Sequence, residues 1–508
     1  MTLDEPQPAR ALPSRLATAL VFLSSGAVLV LEVVALRLIG PYVGVTLQTS
    51  SSVIAVALGA IALGAWTGGR LADRVDPRLL LPPSLVLAGI ATGVTLPVVR
   101  YAGELLRGGA ADAVLMLTAL AVFLPAGLLS AVTPLVVKLQ LGDLRRTGQV
   151  VGKLSSVGTL GAVTATLVTG FVLVAALPSS VIMFSLAVLL GGGGIALYAY
   201  LRRGPGNLVA PGSRRTTATL AVIGVAGAGL TTVAPNPCDV ETAYHCATVT
   251  TDPRRPTGRV LWLNSARHSY VDLADPTHLE FAYVQWIGAM ADVMAPASRP
   301  LDAVHLGGGG FTLPTYLSAT RPGSRNLVLE LDGELVELDR RELGVRPGPG
   351  LRVKIGDGRV HLAEQPADSA ALLIGDAFGH LVVPWHLATR ELAAEVRRVL
   401  RPDGVYTQNV IDYPSFQFIR AELATVADVF PHVALATEPA ALAGERGANF
   451  VIVASESPLP MAQWRARLAT TATEPVRVLD GADLTDFIDG ARVLTDDYAP
   501  VDQLLVGP

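Results

Sequence analysis

The sequence predicts two unlike halves. The first is an N-terminal polytopic α-helical membrane bundle of about seven spans, and the second is a C-terminal α/β unit with a doubly wound sheet and a small β-rich start. Three observations predict this. Apolar runs of spanning length crowd residues 1–235, charge divides unevenly between the halves, and after residue 235 short apolar runs alternate with amphipathic stretches. Across 508 residues, 51% are hydrophobic and only 16% charged, with mean hydropathy +0.47, which excludes a disordered chain, a coiled coil and a disulfide-dense scaffold. Residues 1–235 carry 16 Lys+Arg against 8 Asp+Glu, and residues 236–508 carry 23 against 35. An acidic second half lacks the basic footprint that nucleic acid requires, so no nucleic-acid partner is expected. Only three lysines occur, so arginine supplies nearly all the positive charge.

The expected spans are 16–39, 51–66 (extendable to 69), 79–99, 113–137, 154–177, 181–201 and 216–234. Each is near the ~20 residues that cross a ~30 Å hydrocarbon layer. A cleaved signal peptide accounts for the first at most, and that run is too long and holds Glu32 and Arg37. Loop arginines and lysines set the orientation. Arg10 and Arg15 precede span one; Arg70, Arg74 and Arg78 follow span two. Lys138, Arg145, Arg146 and Lys153 follow span four, and Arg202, Arg203, Arg214 and Arg215 follow span six. The alternate loops are poorer, so the N-terminus reads as cytoplasmic. Seven crossings then put residues 236–508 on the extracytoplasmic side of the cell membrane.

Within the spans, Glu32 and Arg37 read as an ion pair or an interfacial anchor. Gly59, Gly64, Gly68, Gly158 and Gly161 read as packing surfaces, and Pro125 and Pro134 should kink span four. No internal repeat or chain of intramembrane carboxylates suggests a transporter. Cys238 and Cys246, eight residues apart, fit either a disulfide or two separate thiols.

In the second half a β pair is expected at 244–250 and 259–263, followed by a helix at 278–294. Strands follow at 301–306, 327–331, 351–355, 371–375 and 404–410, with helices between them, including 386–400 and 416–429. That alternation implies a parallel, Rossmann-like sheet of the methyltransferase type, whose ligands bind beyond the carboxyl ends of the strands.

Candidate site residues sit at those ends. The first strand runs into Gly307, Gly308, Gly309 and Gly310, where backbone can approach a ligand ahead of a helix N-terminus. The second ends in Glu330, placed to accept two ribose hydroxyls, and the third in Asp357-Gly358, where an acceptor could meet an exocyclic amine. Together they describe a nucleoside pocket; the plainer alternative is a glycine turn with two helix-capping acids. Asp376 ends the fourth strand and is the candidate general base or acid, with an N-cap as its alternative. Phe378 and His386 follow it, and Asp496-Asp497-Tyr498 could close over the pocket. No His/Cys spacing makes a metal site.

These residues resemble a known family. Leu306-Gly-Gly-Gly-Gly-Phe-Thr-Leu-Pro, Leu329-Glu-Leu-Asp, Ile355-Gly-Asp-Gly-Arg, Gly375-Asp-Ala-Phe and Leu494-Thr-Asp-Asp-Tyr-Ala-Pro-Val-Asp are similar to the spermidine synthase (polyamine aminopropyltransferase) family, in its membrane-fused bacterial branch. His268-Ser-Tyr270 and Asp275-Pro-Thr-His-Leu-Glu280 extend the likeness. It implies decarboxylated S-adenosylmethionine or a related nucleoside thioether as cofactor, held by Gly307, Gly308, Gly309, Glu330, Asp357 and Gly358. Asp376 would take the proton from the attacking amine, with Asp497 as a second catalytic acid. Tyr244, His268, Tyr270, Glu280, Tyr283, Phe378 and His386 are the candidate substrate contacts, and a homodimer is expected. The chain departs from the family pattern at Gly310, Gly379, Asn264 and Val284-Gln285, where acids or a His-Glu pair are usual.

The reading is therefore an aminopropyl or nucleoside-thioether transferase with an altered, less cationic acceptor. Two alternatives stay open. One is a cofactor-independent, terpenoid cyclase-type enzyme in which Asp376 or Asp497 protonates an apolar, isoprenoid-like membrane substrate. The other is a non-catalytic membrane sensor.

Overall fold

The computed structural model describes residues 12–44, 47–107, 111–141, 144–202, 234–379 and 382–505. Two compact units divide the chain, Met1–Ala243 and Tyr244–Pro508.

Among the described residues of the N-terminal unit, six helices are long and apolar enough to span a membrane: α1 Ser14–Val43, α2 Leu47–Ala72, α3 Pro77–Leu105, α4 Asp112–Gln140, α5 Thr147–Ala176 and α6 Ser179–Arg202. The seventh expected span, 216–234, lies outside the described residues except for Ala234. Small residues let the helices touch through their backbones. A methyl group at Gly89 would come within 2.7 Å of the Ala187 carbonyl oxygen on α6, and one at Gly68 within 2.7 Å of Ala131 Cα on α4. Gly64, Gly158 and Gly161 are similarly crowded, but Gly59 faces open space and is no packing position. In α4 a π-helical turn, Ala119–Phe123, runs directly into Pro125, and the helix breaks again at Ala131 ahead of Pro134. Proline's missing N–H and its clash with the preceding turn account for both irregularities. Arg37 does not pair with Glu32. Its guanidinium lies 3.1 Å from Glu241 and donates to the Val174 carbonyl at 2.9 Å.

The C-terminal unit opens with an antiparallel sheet that includes Cys246–Asp252, Arg255–Leu263 and Ala266–Asp272. The third of these strands follows a tight turn at Asn264, whose φ of 56° is left-handed. Its amide N–H donates to the Cys246 carbonyl and its side-chain oxygen accepts from the Cys246 N–H. Asn264 is thus a turn residue, because asparagine tolerates this backbone region well. Both cysteines are disulfide-bonded.

The main sheet has eight strands: β1 Asp302–Leu306, β2 Arg325–Glu330, β3 Leu351–Ile355, β4 Ala370–Gly375, β5 Leu400–Asp412, β6 His432–Thr437, β7 Ala448–Ser455 and β8 Arg477–Asp480. Their order across the sheet is β8-β6-β7-β5-β4-β1-β2-β3. Strands β1 to β5 are parallel, whereas β7 runs antiparallel to both β5 and β6, and β8 antiparallel to β6. The sheet is therefore mixed, not wholly parallel, and its antiparallel edge occupies the last third of the unit. The chain reverses at β1, since β2 and β3 lie to one side and β4 and β5 to the other, and this creates the crevice at the strand ends.

Side-chain alternation splits the core into two layers. Leu306, Leu373, Tyr406 and Ile452 face one helical layer, and Ala303, Leu372, Ile374 and Val453 face the other. In the second layer Trp286 and Trp464 are both fully buried, and the Trp464 indole donates to the Trp286 carbonyl at 3.1 Å. Truncating either to alanine should cost about 3–5 kcal/mol.

Candidate active site

Strand β1 delivers the chain to the glycine run. Gly307 (φ 91°) and Gly309 (φ 47°) adopt left-handed backbone. A Cβ at Gly307 would sit 2.6 Å from the Asp376 carbonyl oxygen, and one at Gly309 would sit 2.7 Å from Ser269 Oγ. Glycine is therefore required twice over, by dihedral and by space. Gly310 has an equally local cause. Its N–H donates to Ser269 Oγ at 2.9 Å, and a Cβ there would meet Ser269 Cβ at 2.8 Å. An aspartate at this position has no room.

Glu330 ends β2 and is buried against the glycine loop. Its Oε2 accepts from Gly308 N–H at 2.7 Å and its Oε1 from Asp332 N–H at 2.9 Å. Burial raises its pKa above the usual carboxylate range, and those two N–H bonds oppose the rise. Asp332 caps the following helix and lies 3.3 Å from His245 Nδ1.

Asp357 caps the helix Gly358–Ala363 by accepting from Val360 N–H at 3.0 Å, and its other oxygen meets His386 Nε2 at 3.1 Å. His386 belongs to a short turn, Trp385–Leu387, and not to the start of a helix; the helix begins at Arg390, capped by Thr389. The cavity over this region is lined by Gly307, Glu330, Asp357, Gly358, Phe378 and His386, with apolar walls from Leu263, Leu329, Leu335 and Leu387. Among the described residues, neither lysine nor arginine lines it. Acceptors set in an apolar slot suit a hydroxylated, flat heterocycle better than a phosphate.

Asp376 ends β4 at the centre of the site. Tyr283 donates its hydroxyl to Oδ2 at 3.2 Å, and Asn409 donates its amide to Oδ1 at 2.9 Å. Asn449 donates in turn to the Asn409 oxygen at 2.9 Å, which fixes that amide's orientation. Loss of solvent around the half-buried Asp376 carboxyl pushes it up to about 6, against the opposing effect of both hydrogen bonds.

Two further cavities meet at Asp376. One runs beneath the glycine loop past His268, Tyr270, Tyr283 and His305. Burial pushes His305 down to about 4, so it is neutral, and its Nε2 lies 3.0 Å from Asn326 Oδ1. The other opens outward and is lined by Glu280, Glu438 and Glu474 along with Arg267, Tyr283 and Asn409. Glu280 pairs with His278 at 3.0 Å, Glu438 pairs with Arg446, and Glu474 is exposed.

The structure brings Asp376, Gly307, Gly308, Gly309, Glu330, Asp357, Gly358, His268, Tyr270, Glu280, Tyr283, Phe378 and His386 to this group of cavities. Tyr270 also donates its hydroxyl to Asp252 at 3.0 Å. Two expected residues lie elsewhere. Tyr244 is 52% exposed and lines none of the three cavities, and Asp497 is exposed on the C-terminal segment beside Asp496, which is bound to Arg359. Val284 is a buried wall residue, and Gln285 ties Leu279 O to Thr473 N–H, so neither offers a charge. Asn409, Asn449, Glu438 and Glu474 were not anticipated. Asn409 lies on a strand that the sequence shows, but nothing there marks it as the partner of Asp376.

Curated relatives are similar to part of this chain. The polyamine aminopropyltransferase of Vibrio vulnificus (strain CMCP6) is 26% identical over 217 residues, which cover 41% of this chain and 70% of the relative. The polyamine aminopropyltransferase of Pyrobaculum calidifontis is 32% identical over 167 residues, 29% of this chain and 52% of the relative. The chain is spermidine synthase-like. Among solved structures, a probable spermidine synthase from Corynebacterium glutamicum ATCC 13032 aligns at 28% identity with a TM-score of 0.47, covering 50% of this chain and 94% of that one. No family model matches. In this spermidine synthase-like protein the α/β unit follows an N-terminal region whose described residues hold six apolar helices, which fit a multi-pass membrane protein.

Proposed function

We propose that this chain is an integral membrane transferase that binds a nucleoside donor of the S-adenosylmethionine class and alkylates an amine. The observation that carries the proposal is Asp376, a half-buried carboxyl bordering each of these three cavities and held by Tyr283 and Asn409. When bound, such a donor supplies an electrophilic carbon beside a positively charged sulfur, so that a C–N bond forms as the C–S bond breaks and the sulfur leaves neutral. Glu330 accepts from the ribose hydroxyls, and Asp357 with His386 borders the base. Asp376 is ionised above about pH 6 and takes the proton that the attacking nitrogen loses. Its two hydrogen bonds keep one lone pair of each oxygen aimed away from Tyr283 and Asn409.

The acceptor reading changes with the outward cavity. Family acids are missing at Gly310 and Gly379, but Glu280, Glu438 and Glu474 supply carboxylates from other elements. A cationic amine is favoured there over an apolar isoprenoid. The test is binding of S-adenosylmethionine and of its decarboxylated form to the full chain in detergent, followed by turnover with candidate amines. Donor binding retained in Asp376→Asn with turnover lost is the expected result; failure of the wild-type chain to bind either donor overturns the reading.

A further inference from the structure

Another cavity lies wholly within the N-terminal unit, where three spanning helices end. Its lining comes from the last turns of α1, from residues 96–100 of α3, from the first residues of α6 and from residues 236–241, where the Glu241 carboxylate is paired with Arg37. Leu38, Leu96 and Val99 make an apolar wall on the side of the spans. Arg37, Tyr42, Arg100, Ser180 and Asn236 line it with hydrogen-bond donors.

The polar groups are not equivalent. Arg37 is engaged by Glu241 and the Val174 carbonyl, and Glu241 also accepts from Ser179 N–H at 3.2 Å. Arg100 is also engaged, one of its contacts being Asn236 Oδ1 at 3.4 Å, and its guanidinium brings a positive charge to the lining. Tyr42 is fully buried, yet among the described residues its hydroxyl has no hydrogen-bond partner. The ring cannot swing away to find one, because Gly103 packs flat against it and Arg107 lies 5.2 Å over its face. Arg107 is itself forked onto Glu104 and donates to the Pro41 carbonyl. A buried hydroxyl without a partner is unfavourable, and a ligand oxygen in the cavity would satisfy it.

We propose that this cavity binds the phosphate of a membrane lipid, with Arg100 supplying charge and Tyr42 a hydrogen bond. A phospholipid has the same succession of chemistry as the cavity, with apolar chains against the span wall and an oxyanion at the helix ends. Planar guanidinium groups suit a phosphate in both charge and geometry. No step of the transferase reaction enters this argument, so the transferase reading can fail without touching it.

The experiment uses the full chain, delipidated in detergent and re-exposed to 1-palmitoyl-2-oleoyl phosphatidylglycerol, to the diacylglycerol with the same chains, or to inorganic phosphate. Retention is counted by native mass spectrometry. One phosphatidylglycerol should be kept, with diacylglycerol not retained. Arg100→Gln and Tyr42→Phe should each weaken retention about tenfold, the loss of one charge-assisted hydrogen bond. Tyr42→Phe deletes a single oxygen and keeps the ring packing, so it reads the site even if Arg100→Gln fails to fold. Equal retention by wild type and Tyr42→Phe would overturn the proposal, as would diacylglycerol held as well as phosphatidylglycerol. Inorganic phosphate bound with no lipid retained would overturn it too.

Discussion

Tyr283 and Asp376, 93 residues apart in sequence, meet through a 3.2 Å hydrogen bond from the tyrosine hydroxyl to the carboxylate. Burial and that carboxylate hold Tyr283 well above the usual tyrosine pKa, so it remains a donor at working pH. Asp376→Asn keeps the side-chain shape and removes the base. Turnover should fall roughly 10²- to 10⁴-fold while donor affinity is kept. Calorimetric donor binding beside steady-state rates checks this, and full turnover in the variant would dismiss Asp376 as the base.

The rate should depend on pH through the same carboxyl. With Asp376 pushed up to about 6, kcat/KM should rise with pH below 6 and level off above it, because only the ionised form accepts a proton. Asn409 donates to that ionised form and holds the value down. In Asn409→Leu the acidic limb should therefore move to higher pH, by about one unit. A limb that does not move would show that another group titrates.

Acceptor recognition should be separable from donor recognition. Glu474 borders the outward cavity and is exposed, so Glu474→Gln should raise the acceptor KM only about threefold. The effect should shrink at high salt, with donor affinity unchanged. An unaltered KM for every cationic amine tried would favour an uncharged acceptor.

Stability carries a second titration, distant from the chemistry. Glu422 is fully buried, its Oε1 accepts from Gln408 at 2.7 Å, and burial pushes its pKa from 4.5 up to about 7. The folded state holds this proton more tightly than the unfolded one. Its stabilising share is therefore complete below pH 4.5 and is lost as pH rises through 7, by on the order of 3 kcal/mol. Glu422→Gln should flatten that slope in thermal unfolding followed from pH 5 to 8.

The side of the membrane is open to a labelling test. Both native cysteines are disulfide-bonded and so do not react with maleimide. A cysteine placed at exposed Asp502 should be labelled by a membrane-impermeant maleimide in intact cells if residues 244–508 face outward. Protection until lysis would put this unit in the cytoplasm, beside the nucleoside pool.

Much of the donor side was legible in the sequence because its residues end strands. Hydrophobic runs mark the strands, and the residues just after them, Gly307, Glu330, Asp357 and Asp376, fall at one sheet edge by topology alone. The partners of Asp376 were not legible. Asn409 reaches it across 33 residues and Asn449 joins from 40 further on, through pairing of β7 with β5, which no local pattern reveals. The run Ala448–Ser455 announces a buried strand but not its direction, so the antiparallel edge went unforeseen. Asp497 read as catalytic from its motif, yet the carboxylate of that pair with strong bonds is Asp496, clamped by Arg359 at 2.7 and 2.6 Å. Gly310 read as a lost acid; its cause is steric, in the contact with Ser269.

Asp376 and His268 border each of the three cavities described in the C-terminal unit, so the donor slot and the acid-lined opening share one thin partition. A compound joining a nucleoside to an amine through a short tether could lie across that partition and occupy both sides at once. Its second half would bind at an effective concentration set by the tether, typically millimolar for short flexible links, whatever the amount in solution. Shortening or lengthening the tether one atom at a time would measure the thickness of the partition in working units, by the length at which inhibition peaks.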